Sequence, residues 1–144
     1  MEWLFATDTS LAQLVLRLTL AVVIFPHGAQ KALGWFGGYG VKGTLASFAQ
    51  SGFPAPLGAL AIAAEFLGPF GLVLGLLTRV TAFGIASVML GAIFKVHTQH
   101  GFFMNWFGNQ KGEGFEYHLL VIGIAIALLI GGAGAWSLDG LLAR

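Results

Sequence analysis

The chain has 144 residues, 57% hydrophobic and 9% charged, with a mean hydropathy of +0.84; soluble domains are roughly a quarter charged, so this is a membrane composition. A net charge of +1, with no basic run interleaved with aromatics, excludes nucleic-acid binding. The absence of cysteine excludes disulfides, thiol redox catalysis, iron–sulfur clusters and thiolate zinc sites, so any redox chemistry must come from a bound cofactor or a partner.

The first stretch, MEWLFATDTSLAQ, carries Glu2 and Asp8 and no lysine or arginine before Arg17. It lacks the basic flank of a secretory signal and reads as a retained anchor. Apolar segments follow at about 11–33, 56–77, 79–97 and 116–133, each near the ~20 residues that carry an α-helix across ~30 Å of hydrocarbon. The fold expected over residues 1–144 is a single all-α domain, a four-transmembrane-helix antiparallel bundle.

Between the first and second spans, 34–56 reads as a loop, and so does 98–115 between the third and fourth. These loops gather Trp35, Phe36, Tyr39, Phe102, Phe103, Trp106, Phe107 and Phe115 on one side of the membrane, as an interfacial aromatic belt. The second and third spans meet at LLTRV (76–80), a turn tight enough to make them antiparallel neighbours. Both termini fall on that turn's side, here side A; the long loops define side B. Small residues recur at helical spacing (Gly68, Gly71 and Gly75; Gly84, Ser87 and Gly91; Gly123, Ala127 and Gly131), the pattern that lets membrane helices approach closely. No glycine-rich turn is followed by the Lys-Ser/Thr pair of a phosphate loop.

The polar residues concentrate toward side B. In the first span Gln13, Arg17, Leu20, Ile24, His27 and Lys31 fall within about 80° of one another on a helical wheel, a stripe expected to face the bundle interior. Glu65 lies about nine residues into the second span, near the midplane and within about one turn of His27's level. His97 ends the third span with His100 just beyond, and Glu116 and His118 open the fourth. An ionisable group facing lipid costs about 2.5–3.5 kcal/mol on insertion scales, so Arg17 and Glu65 each need a partner or water. For Glu65 the candidates are His27, Lys31 and His118, which makes the acid the floor of a polar pocket open to side B. A single interhelical hydrogen bond is the plainer alternative. Arg17, nearer side A, either reaches the interface or pairs with an acid such as Asp139, and Arg79 reads as a turn and interface anchor.

No metal centre is expected. His97 and His100 stand at i, i+3, but His100 lies past the helix end, and Glu116 and His118 at i, i+2 do not share a face. Paired histidines could ligate a haem, yet they serve equally well as hydrogen-bond donors.

The ordered set Arg17, Phe25-Pro26-His27-Gly28-Ala29-Gln30-Lys31, Gly52-Phe53-Pro54, Glu65-x-x-Gly68, Gly75-x-x-Thr78-Arg79 and Trp136-Ser137-Leu138-Asp139 resembles the DoxX family of small four-helix bacterial and archaeal membrane proteins. The resemblance covers nearly the whole chain. It implies a multi-pass protein of the cytoplasmic (inner) membrane, and it marks Arg17, Gly28, Lys31, Glu65 and Arg79 as family-pattern positions without established catalytic roles. Some members are similar to the membrane subunit of an archaeal thiosulfate:quinone oxidoreductase, and others are tied to oxidative and thiol stress. The long loop 105–114 departs from that pattern as a subgroup feature, which argues against carrying the thiosulfate activity over.

Three functions compete. A quinone-interacting redox subunit would use Glu65, His27 and His118 as catalytic candidates. Its ligand-binding set would be Arg17, His27, Lys31, Glu65, His97, Trp106, Glu116 and His118, with a quinone as the cofactor. A binding or transport protein for a small solute or proton would open Glu65 toward Arg17. A structural or assembly subunit would hold a partner by the aromatic loops. In each case the partners are the lipid membrane and either further copies of the chain or a larger membrane complex. Lys31, Lys42, Lys95 and Lys111 lie near side B against Arg79 and Arg144 on side A, which places the polar mouth in the cytoplasm.

Overall fold

A computed structural model describes residues 2–143; Arg144, counted above on side A, lies outside the described residues. The described chain is helical, without a strand: α1 (Glu2–Phe5), α2 (Leu11–Leu33), α3 (Gly40–Gln50), α4 (Ala55–Leu74), α5 (Thr78–Lys95), α6 (Glu116–Gly131) and α7 (Leu138–Leu142), with 3-10 turns at Trp35–Gly37 and His97–His100. Helices α2, α4 and α5 are long and apolar enough to cross a membrane. Helix α6, at 16 residues, is apolar but shorter. It stops because Gly132 takes φ 78° and ends the helix two residues before the expected boundary at 133.

The other boundaries have equally local causes. Ser10 Oγ accepts from Gln13 N to start α2, and Gly34 at φ 74° ends it in the left-handed region that lacks a penalty only for glycine. Gly75 ends α4 in the same way at φ 61°, three residues short of the expected 77. Helix α5 ends at Lys95 rather than 97 because Val96, at φ −127°, leaves helical geometry.

Around the bundle α2 packs on α4 and α6, and α5 packs on the same two, which closes a ring of four helices. Leu20, Ile24, Leu72, Ile85 and Leu128 fill its centre, each at most 1% exposed.

The segment read as a loop at 34–56 instead contains helix α3, lying on α2 and α4 at side B. Its buried Thr44 donates to the carbonyl of Lys31 at 3.3 Å. Gly58 of α4 leaves room for Phe48 and Leu45, since a Cβ there would lie 2.8 Å from Phe48 and 3.0 Å from Leu45. The glycines flanking 40–50 had the look of loop punctuation; they are helix ends and packing sites.

Candidate functional site

The site begins at the crossing of α2 and α4. Pro69 has no N–H, so the carbonyl of Glu65, four residues earlier, receives no bond from its own helix. Gly28 fits against that freed carbonyl, bringing the two backbones together. The approach directs the Ile24, Gly28 and Lys31 face of α2 at α4. Lys31 Nζ then lies 2.6 Å from Glu65 Oε2, an ion pair in which the Glu65 side chain is 3% exposed and that of Lys31 26%. Of the candidate partners for Glu65, the direct one is therefore Lys31.

His27 corrects the expected interior stripe. Arg17, Leu20 and Ile24 are buried as the wheel reading requires, but His27 is exposed. Because Gly28 is the point of closest approach, the preceding residue is turned about 100° away, onto the edge between α2 and α6. There its ring lies 5.9 Å from that of Tyr117. Glu65 remains within electrostatic reach of both His27 and Tyr117.

Helix α6 contributes Tyr117 and His118 from its first turn. Their ring centroids are 5.4 Å apart, and the His118 ring lies 4.0 Å from that of His97. His97 Nδ1 is 2.8 Å from the carbonyl of Glu113, which can only accept, so Nδ1 carries the hydrogen and Nε2 is left free. Two buried polar atoms here have no protein partner: Tyr117 Oη and His118 Nδ1. His100 stands apart, its ring lying over Gly112, where a Cβ would meet it at 2.6 Å.

Outside this cluster a groove of about 540 Å³ is lined by Phe102, Met104, Trp106, Glu116, Tyr117, Leu119 and Leu120. Glu116 does not face the ion pair. Its Oε1 accepts from Met104 N at 2.8 Å and Trp106 Nε1 at 3.1 Å and so ties the aromatic loop to α6. Glu113 accepts from Asn105 N at 2.7 Å in the same loop. Glu65, 2% exposed, is not among the groove's lining residues, so the expected open pocket with Glu65 as its floor resolves into a closed ion pair and a groove beside it.

Arg17 does not join this set. It is fully buried near side A and donates to the carbonyls of Ala133, Leu72, Val73, Ala135 and Trp136 at 2.6–2.9 Å. Asp139, its expected partner, instead accepts from Leu77 N and Thr78 N at 2.7 and 2.9 Å and caps α5. Arg79 is likewise no interface anchor: at 5% exposure it donates to Leu129, Ile130 and Ala6 carbonyls and stacks on Trp3. Arg79 meets carbonyls in the last turn of α6 and just after α1, whereas Arg17 ties the last turn of α4 to the segment between α6 and α7.

Tyr117 is the residue the sequence reading passed over. The available signal was its position between Glu116 and His118 at the mouth of an apolar helix, where a phenol can present an apolar ring on one side and a hydroxyl on the other.

A family model described as DoxX matches residues 12–98. A Bacillus subtilis protein bearing the name "Putative oxidoreductase CatD" is 30% identical over 115 residues, covering 80% of this chain and 76% of that one. A Haemophilus influenzae protein described only as "Uncharacterized protein" is 28% identical over 141 residues, covering 91% of this chain and 83% of that one. No solved structure matches.

Proposed function

This chain belongs to the DoxX family of membrane proteins, and from that premise we propose that it is a quinone-interacting redox subunit of the cytoplasmic membrane. In this reading α6 crosses as a fourth span, the Trp106 loop seats against the interface, and the chain works with further copies or within a larger complex that supplies electrons. The name of the Bacillus subtilis relative supports a redox association.

The observation that carries the reading is the position of Tyr117. Its ring lines the groove while its hydroxyl lies buried without a partner, within electrostatic reach of Glu65. The groove suits a flat apolar ring: Phe102, Trp106, Leu119 and Leu120 offer walls, and Glu116 and Tyr117 bring polarity to one end. A bound quinone would supply a two-electron, two-proton couple. The chain's own residues would orient it against Trp106 and hold protons at Tyr117 and His118. The apolar core between Glu65 and Arg17 argues against the transport alternative.

The test is mass spectrometry of lipids retained by the purified protein. An isoprenoid quinone should copurify, and Trp106→Ala should reduce its amount. A parent protein that neither retains a quinone nor binds an added one would overturn the reading.

A further inference from the structure

We propose that the segment after α5 dips into the side-B leaflet, so that Phe102, Phe103, Trp106 and Phe107 lie among lipid acyl chains and the groove opens sideways into lipid. The proposal deepens the reading above by giving its ligand a lateral entrance, and it rests on that reading for α6 as a fourth crossing.

The placement follows from the register of α6 on α2. At side A a Cβ on Gly131 would run into the Gln13 side chain, and at side B the Tyr117 ring lies 5.9 Å from that of His27. Gln13 to His27 and Tyr117 to Gly131 are both intervals of 14 residues, so the two contacts agree on one level at each end. Helix α6 therefore begins at the level of His27, whereas α2 runs six residues further to Leu33, about 9 Å. From Glu65, which meets Gly28, α4 has ten residues left to Ala55, about 15 Å. Helix α5 ends low as well, since His97 just beyond it lies 4.0 Å from His118 between ring centroids. The side-B end of the bundle is thus a step, tall at α2 and α4 and low at α5 and α6. The 16 residues of α6 supply about 24 Å, short of the ~30 Å of hydrocarbon, so the step falls inside the leaflet.

The segment that fills the step is suited to that depth. Gly101 to Gly108 contains no charged residue, and Phe103, Trp106 and Phe107 are 66%, 78% and 89% exposed. Non-helical backbone at membrane depth must find its hydrogen bonds within the protein. Here the N–H groups of Met104 and Asn105 donate to the Glu116 and Glu113 carboxylates, and those of Trp106 and Gly108 to the Met104 and Asn105 carbonyls. The Gly101, Phe102 and Phe103 carbonyls accept from Phe115, Glu116 and Gly114. Asn109, Gln110 and Lys111 follow as an exposed polar tip, which matches the headgroup layer. Phe102 and Trp106 form one wall of the groove, and Leu119 and Leu120, on the exposed face of α6, form another. With both walls bordering acyl chains, a ligand dissolved in the leaflet reaches Glu116 and Tyr117 without crossing water.

The experiment uses the lack of native cysteine: one introduced cysteine carries a nitroxide label at a single site. Phe103→Cys, Phe107→Cys and Lys111→Cys replace exposed side chains, so all three should fold. In phosphatidylcholine vesicles, electron paramagnetic resonance compares collisions of each label with oxygen, which concentrates in hydrocarbon, and with a neutral nickel chelate, which stays in water. The oxygen-to-chelate ratio at positions 103 and 107 should exceed that at 111 by about tenfold or more, because polar solutes are expelled from hydrocarbon. Ratios within about twofold of one another would overturn the proposal. Labels at 103 and 107 shielded from both reagents would overturn it too, since a protein surface would then cover the segment. The measurement needs no quinone: immersed labels on a protein that retains no quinone refute the functional reading alone, and quinone retention with labels in water refutes only the immersion.

Discussion

Gly28 packs its bare α-carbon onto the backbone of Glu65: a methyl built there would lie 2.1 Å from the carbonyl oxygen and 2.4 Å from its carbon. Because the obstacle is backbone, it cannot rotate aside. Gly28→Ala should lower stability by about 3 kcal/mol, the upper end of ordinary overpacking costs, and should separate Lys31 from Glu65. Gly123, in α6, has nothing within 4 Å of an added Cβ, so Gly123→Ala should raise stability by up to about 1 kcal/mol. Thermal unfolding in detergent reads both, and the opposite signs are the test.

Removing one partner of the buried ion pair should cost more than removing both charges. Lys31→Met strands the Glu65 carboxylate, a loss of about 3 kcal/mol, the low end for a broken buried pair because Lys31 is itself partly exposed. The double variant Lys31→Met, Glu65→Gln should recover at least half of that. A double variant no more stable than Lys31→Met alone would contradict this account.

Arg17→Lys should destabilise although it keeps the charge. A guanidinium is a planar fork of five donors, whereas an ammonium has three on a single nitrogen and cannot reach the carbonyls of Leu72, Val73, Ala133, Ala135 and Trp136 together. At about 1–3 kcal/mol for a buried group left unsatisfied, the loss should exceed 2 kcal/mol in unfolding experiments.

Glu116→Ala should free the aromatic loop while leaving the bundle intact. The carboxylate holds the backbone N–H of Met104 and the indole N–H of Trp106. Hydrogen–deuterium exchange at Met104 should quicken by about tenfold or more, the equivalent of a lost charge-assisted bond, while amides in α2 and α5 keep their rates.

Apolar length and punctuation carried much of the architecture into view. The span 11–33 was legible to the residue because Ser10 and Gly34 both act locally. Later spans overran where a single backbone rotation at Gly75, Val96 or Gly132 ended the helix. Helix α3 was hidden because its glycines spoke for a loop while its stability comes from packing on α2 and α4. Depth along a helix brought Lys31 to Glu65, but angular position misjudged His27, since the closest approach at Gly28 reset which face meets α4. The arginine contacts had no signature at all: their acceptors are main-chain carbonyls, and carbonyls look alike in every residue.

The arginine near the start of the chain also bears on how the protein is made. Arg17 leaves the ribosome 116 residues ahead of Ala133, the first of its acceptors beyond α6. Domains form from the amino end during synthesis, so α2 enters the bilayer with a cation whose Nη1 can meet Leu72 and Val73 of α4, while Nε and Nη2 wait for Ala133, Ala135 and Trp136. Its final seating waits for the segment after α6, and a nascent chain halted inside α6 would hold a half-answered charge in oil, a mark by which quality control could recognise an unclosed bundle.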